Sequence, residues 1–116
     1  MKKNRLGHSS LYVSEIGFGC MSLTNDNREN ERIIHEAIDR GVNFFDTADL
    51  YGRGMNEETV GKALKGKRHH VILATKGGNE WKDGEEGWRW NPSKRYLKEA
   101  VKKSLLRLRT DYIDLY

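Results

Sequence analysis

Asp46, Tyr51 and Lys76 are three residue types from which a proton donor for a carbonyl oxygen can be built. A free phenol titrates near 10, a poor match to neutral pH, but an ammonium beside it stabilises the phenolate. A carboxylate paired with that amine keeps it charged and in place. In such an arrangement Asp46 holds Lys76, Lys76 acts on Tyr51, and Tyr51 is the general acid. Each residue also has a plainer reading. An aspartate at a strand end often caps the next turn, as Asp46-Thr47-Ala48-Asp49 could. A loop tyrosine usually packs half-buried, and a lysine after an apolar strand usually reaches water. Taken singly the plain readings are stronger; three titratable groups at neighbouring strand ends favour a site.

The elements that must position them follow from the pattern of apolar and turn residues. Arg5 to Ser14 has turn residues between two short extended stretches and reads as a hairpin. Ile16-Gly17-Phe18-Gly19 reads as a short buried strand. A helix capped by Asn25, Asp26 or Asn27 follows, with Ile33, Ile34, Ala37 and Ile38 at helical spacing and Gly41 at its end. Val42 to Phe45 is a second strand closed by Asp46. Asn56 is the expected N-cap of the next helix, with Glu57 and Glu58 in its first turn and Val60, Ala63 and Leu64 facing inward. Val71 to Thr75 is the clearest buried strand and ends at Lys76. A Gly- and Trp-bearing loop runs from Gly77 to Trp90. Asn91-Pro92 then opens a helix with proline at its first position, carrying Leu97, Ala100, Val101, Ser104, Leu105 and Leu108 as one stripe. Tyr112 to Tyr116 reads as a fourth strand.

Strands alternating with helices imply parallel pairing through right-handed crossovers. Gly17-Phe18-Gly19-Cys20-Met21-Ser22 lacks the third glycine of a G-x-G-x-x-G turn, which argues against a dinucleotide-binding Rossmann sheet. A barrel gathers its chemistry at the C-terminal ends of its strands, where Asp46 and Lys76 fall, with Tyr51 in the loop after the second strand.

The 116 residues suffice for one modest domain. With 33% charged and 36% hydrophobic residues the chain has a soluble, globular composition, and no apolar run approaches the length of a membrane span. No hydrophobic segment follows the basic Met1 to Arg5, so a signal peptide is not expected. A single cysteine, Cys20, excludes an internal disulfide and fits a reducing cytoplasm. The net charge of +4 is spread along the chain. Its densest stretch, Lys65 to His70, lies between two expected elements and reads as a solvated loop rather than a nucleic-acid surface. His69 and His70 lack other ligand-type residues at metal spacing, and no metal site is expected.

The stretch Gly41-Val42-Asn43-Phe44-Phe45-Asp46-Thr47-Ala48-Asp49-Leu50-Tyr51-Gly52, continuing through Asn56-Glu57 to Gly61-Lys62-Ala63-Leu64, closely resembles the aldo-keto reductase signature. Ala74-Thr75-Lys76 looks like that family's lysine strand, and Ser104-Leu105 to Leu115 like its next helix and strand. The resemblance implies an α/β fold, a (β/α)8 TIM barrel plugged by an N-terminal hairpin. Residues 1–116 would supply that hairpin, roughly the first three βα units and the fourth strand of a single barrel domain. It further implies reduction of aldehydes or ketones with NADPH through an Asp-Tyr-Lys-His tetrad, of which Asp46, Tyr51 and Lys76 are three members. Asp46 and the segment Gly19, Cys20, Met21 and Ser22 would touch the nicotinamide end of the cofactor. The tetrad's histidine comes just after the fourth strand and is not among these residues, and a full barrel needs roughly 250. A partial or truncated chain, inactive alone and prone to self-association through open sheet edges, is therefore expected.

Trp81, Trp88 and Trp90 lie in the loop after Lys76, which in the family helps form the substrate pocket; folding that loop on itself is an equally good reading. Cys20 has no histidine near it in sequence and reads as a small packing residue beside the cofactor. Two functions remain open at this point: the N-terminal half of a carbonyl reductase, or a non-enzymatic half-barrel that binds or assembles.

Overall fold

The computed structural model describes all 116 residues. Strands β1 (Lys3–Arg5) and β2 (Tyr12–Ser14) form the antiparallel hairpin, with Lys3 opposite Ser14. The Arg5 guanidinium donates to the carbonyls of Ser9 and His8 and so braces the connection. Ser14 turns the chain by donating its hydroxyl to Ile16 O, and the following strand, β3, is only Phe18–Gly19. Ile16, expected inside a buried strand, is 60% exposed on that bend.

β3 begins a three-stranded parallel sheet with β4 (Phe44–Asp46) and β5 (Ile72–Ala74), in the order β3-β4-β5. Phe18 pairs with Phe45 and Leu73 lies across from Phe45, while Gly19, Asp46 and Ala74 form the row at the C-terminal end. Successive residues of a strand point to opposite faces. Phe45 and Leu73 are wholly buried on the face covered by helices, together with Cys20, Ile34, Val60 and Leu108. Each such side chain contributes about 1.5–3 kcal/mol on burial. Phe44 and Ile72 lie on the other face and are half-buried.

Helix α1 (Asn27–Asp39) starts where Asp26 accepts hydrogen bonds from the amides of Arg28 and Glu29. α2 spans Met55–Ala63 and α3 spans Lys94–Leu108. Gly61 lets α2 and α3 touch: a Cβ there would sit 2.6 Å from Arg107 O and 2.8 Å from the Leu108 backbone. Ala100, Ser104 and Leu108 are the buried spine of the expected α3 stripe. The helix is capped by the Ser93 hydroxyl, which accepts from Tyr96 N, so Pro92 precedes the cap instead of occupying the first helical position.

Two further elements depart from expectation. The loop after Lys76 contains a small antiparallel hairpin, β6 (Asn79–Glu80) and β7 (Arg89–Trp90), reinforced by an Arg89–Glu80 ion pair. The expected fourth strand contributes one parallel bridge, Leu115 to Ala74. The reason is local: the Asp114 carboxylate accepts the Leu73 amide, the bond a strand carbonyl would otherwise make, and is itself held by Arg68 at 2.8 Å. The segment still docks on β5 through Asp114 N and Leu115 N to Leu73 O and Thr75 N to Leu115 O. No helix is long and apolar enough to cross a membrane.

Candidate active site

Strand alternation decides which face the chemistry uses. Asp46 shares its parity with Phe44, and Lys76, four residues past Ile72, shares that of Ile72. Both therefore extend from the face turned away from the helices. The Lys76 Nζ donates to Asp46 Oδ1 at 2.8 Å, to Asp46 Oδ2 at 2.9 Å and to Thr47 O at 2.8 Å. The ammonium is thus shared between one carboxylate and one backbone carbonyl, in a pair whose side chains are 46% and 44% exposed. The same Nζ stands 5.3 Å from the centroid of the Tyr51 ring, within cation–π range. The three residues singled out from the sequence meet at one point.

Tyr51 is carried by a tight turn. Its amide donates to Ala48 O, the Asp49 amide donates to Lys76 O at 3.2 Å, and Gly52, Arg53 and Gly54 follow with φ of 59°, 50° and 94°. Gly54 is the N-terminal boundary of α2. Asn56, expected as that cap, lies inside the helix. Its carboxamide accepts from the Thr47 hydroxyl and donates to Cys20 O at 2.7 Å, so it ties the end of β4 to the end of β3. A left-handed glycine already starts the helix, which frees the asparagine for this longer reach.

Cys20, Met21 and Ser22 form a short 3-10 turn after β3. Gly19, Met21 and Ser22 are exposed, whereas the Cys20 side chain is sealed. Burial, then the charge of Asp46, pushes the Cys20 thiol up to about 12; it is a packing group, not a nucleophile. The whole residue is 0% exposed and its carbonyl is taken by Asn56 and Leu23 N, so of the four expected cofactor-contacting residues of this segment Cys20 alone is closed off. A cavity of about 540 Å³ is lined by Met21, Leu23, Tyr51, Met55, Asn56 and Lys62, among others. None of the three tryptophans lines it. Trp88 and Trp90 meet edge to face, centroids 4.9 Å apart, and Trp81 and Trp88 line a separate cavity of about 200 Å³ within their own loop.

Beneath the site, on the helix face, lies a second charged group the sequence did not single out. Glu57 is 0% exposed; its Oε1 accepts from Arg107 Nε and Nη2, both at 2.8 Å, and its Oε2 from the Thr75 hydroxyl at 2.7 Å. Asp49 is buried beside it with Oδ1 unpartnered. Burial, then the charge of Glu57, pushes the Asp49 carboxyl up to about 6, against the opposing pull of Arg107. Arg53 was also missed: its guanidinium reaches carbonyls of the 77–90 loop. The flanking glycines were the available signal for its turn; nothing local signals partners so distant in sequence.

Residues 15–116 match the profile of the Aldo/keto reductase family, and the chain belongs to that family of oxidoreductases. It is 61% identical over 116 residues to an uncharacterized oxidoreductase, YqkF, of Bacillus subtilis (strain 168), covering all of this chain and 38% of that protein. Among solved structures, the holo form of aldo-keto reductase AKR11C1 from Bacillus halodurans superposes with a TM-score of 0.97 at 62% identity, over 100% of this chain and 39% of that one. An aldo/keto reductase from Klebsiella pneumoniae, in complex with NADP and acetate, matches with a TM-score of 0.71 at 30% identity, over 90% of this chain and 35% of that one. The chain thus spans less than half the length of these relatives. Its hairpin, three parallel strands and helices form the N-terminal part of the family's (β/α)8 barrel.

The C-terminal end of β3 leaves room for a flat group. A Cβ built on Gly19 meets nothing within 4 Å, so the backbone at the end of β3 is open beside its register partner Asp46, with the exposed Met21 and Ser22 next in line.

Proposed function

We propose that the protein reduces aldehydes or ketones to alcohols, with NADPH as cofactor and Tyr51 as the proton donor. The observation that carries this reading is the Lys76 ammonium, held by both oxygens of Asp46 and standing 5.3 Å from the Tyr51 ring. Gly19, Met21 and Ser22, with Asp46, would hold the nicotinamide end, Cys20 packing beneath them, and the cofactor when bound supplies the hydride. Tyr51 gives its hydroxyl proton to the carbonyl oxygen. The phenolate that remains is stabilised by the positive charge of Lys76 nearby. Asp46 keeps that ammonium fixed, so little reorganisation is needed as charge develops. Trp81, Trp88 and Trp90 pack within their own loop, away from the Tyr51 cavity, and have no part in this reading.

The activity is that of the complete catalytic unit. The histidine that the resemblance adds to the tetrad is not among these residues, and residues 1–116 alone are read as inactive. A buried, free Cys20 thiol suits a cytoplasmic protein. The test is Tyr51→Phe in the full gene product, which keeps the ring and deletes the proton. We expect kcat for a simple aldehyde to fall about 10²–10⁴-fold with NADPH binding retained. A near-normal kcat would remove Tyr51 as the general acid.

A further inference from the structure

Arg53 sits two residues after Tyr51 in a conformation that costs a side-chain-bearing residue free energy. Its φ is 50°, between Gly52 at 59° and Gly54 at 94°. Glycine takes that region freely, and the turn uses glycine on both sides; a left-handed arginine persists only where its surroundings hold it. What holds it is on the page. Nη1 donates to Lys82 O at 3.3 Å, and Nη2 donates to Glu85 O at 2.8 Å and Gly87 O at 3.1 Å. Three carbonyls of the tryptophan-bearing loop converge on one planar guanidinium, whose fork of donors suits that geometry as an ammonium does not. The loop is tied to the Tyr51 turn a second time, at its start, where Lys76 O accepts the Asp49 amide.

We infer that Arg53 is a positioning residue for Tyr51: its guanidinium clamps the 77–90 loop onto the turn that carries the phenol, so that ordering the loop and placing the proton donor are one event. The inference rests on Tyr51 being that donor. Glycine at 53 would suit the backbone better, so the side chain is what the position is used for. Arg53 touches no reacting atom; it acts through the one residue between it and Tyr51.

The experiment uses Arg53→Gly in the full gene product, a substitution that keeps the backbone angle and deletes the clamp. Four quantities are read: kcat and KM for a simple aldehyde, the NADPH dissociation constant by fluorescence, chymotryptic cleavage after Trp81 or Trp88, and the response of kcat to added guanidinium. The expected result is faster loop cleavage, a kcat lower by about tenfold to a hundredfold, unchanged NADPH affinity and partial recovery of kcat with millimolar guanidinium. A parental kcat overturns the inference whether or not the loop loosens. An unchanged cleavage rate overturns it equally. If circular dichroism finds Arg53→Gly unfolded, Arg53→Lys takes its place: it keeps the charge without the fork. Slower turnover with faster cleavage supports the clamp, and parental values of both overturn it. Tyr51→Phe with normal kcat sinks the underlying reading instead, so the two failures are distinguishable.

Discussion

Thr75 and Lys76 are neighbours in sequence, yet they serve two ion pairs on opposite faces of the sheet. Lys76 joins Asp46 in a pair nearly half open to solvent. Thr75 donates to Glu57, whose pair with Arg107 is 0% and 17% exposed. Both pairs are 2.8 Å long. Length therefore does not distinguish them; surroundings do. An exposed pair exchanges water for protein contacts at little net gain, about 0–1 kcal/mol. A buried pair is balanced only while both partners are present, and removing one strands a charge in a poor solvent. The buried pair, together with the Gly61 crossing, ties β5, α2 and α3 to one another. The open pair is left free to serve chemistry.

The sharpest way to break this contrast is Glu57→Gln. It leaves Arg107 without its countercharge under the sheet, and we expect unfolding free energy to fall by about 3–5 kcal/mol. Urea denaturation checks it; a loss below about 1 kcal/mol would put the two pairs in one class.

Lys76→Met is the matching change on the open face. Stability should move by less than about 1 kcal/mol, while kcat falls about a hundredfold, because the charge that develops on the phenol oxygen loses the nearby ammonium. A normal rate would reduce Lys76 to a strand-end residue. A large stability loss would erase the distinction from the other side.

Asp49→Asn probes the boundary between the two regions. The fold raises this carboxyl from 3.8 to about 6, so the native state binds its proton more tightly than the unfolded chain does. That contribution is fully present below pH about 4, is lost as pH rises to about 6, and is level above that, a fall of about 1–3 kcal/mol. The asparagine variant should lose this slope in urea midpoints measured across that pH range. An unchanged slope would mean that other groups supply it.

Much of this was legible beforehand because it is encoded over short distances. The helix α3 stripe follows 3.6-residue periodicity, and Ala100, Ser104 and Leu108 are its buried spine. The row of strand ends carrying Asp46 and leading to Lys76 followed from apolar runs that stop at charged residues. Boundaries were less legible. Ser93 outcompeted the Pro92 start with a side-chain acceptor. Asp114 used its carboxylate where a strand carbonyl was expected, which shortened the fourth strand to a bridge. Asn56 lost the capping role because Gly54 already supplied a left-handed start.

What the sequence by itself determined is the set of reactive groups, the order of the elements and the strand ends at which Asp46 and Lys76 fall. Those properties depend on residue type and on spacings of two to four residues. What only the tertiary structure decided is the partnership of groups far apart in the chain. Arg107 finds Glu57 across 50 residues, Arg53 finds the Gly87 carbonyl across 34, and Asn56 finds the Cys20 carbonyl across 36. Each of these side chains has many local alternatives. The choice among them follows from the packing of α2 and α3 on the sheet and of the loop on the Tyr51 turn, which no local pattern contains.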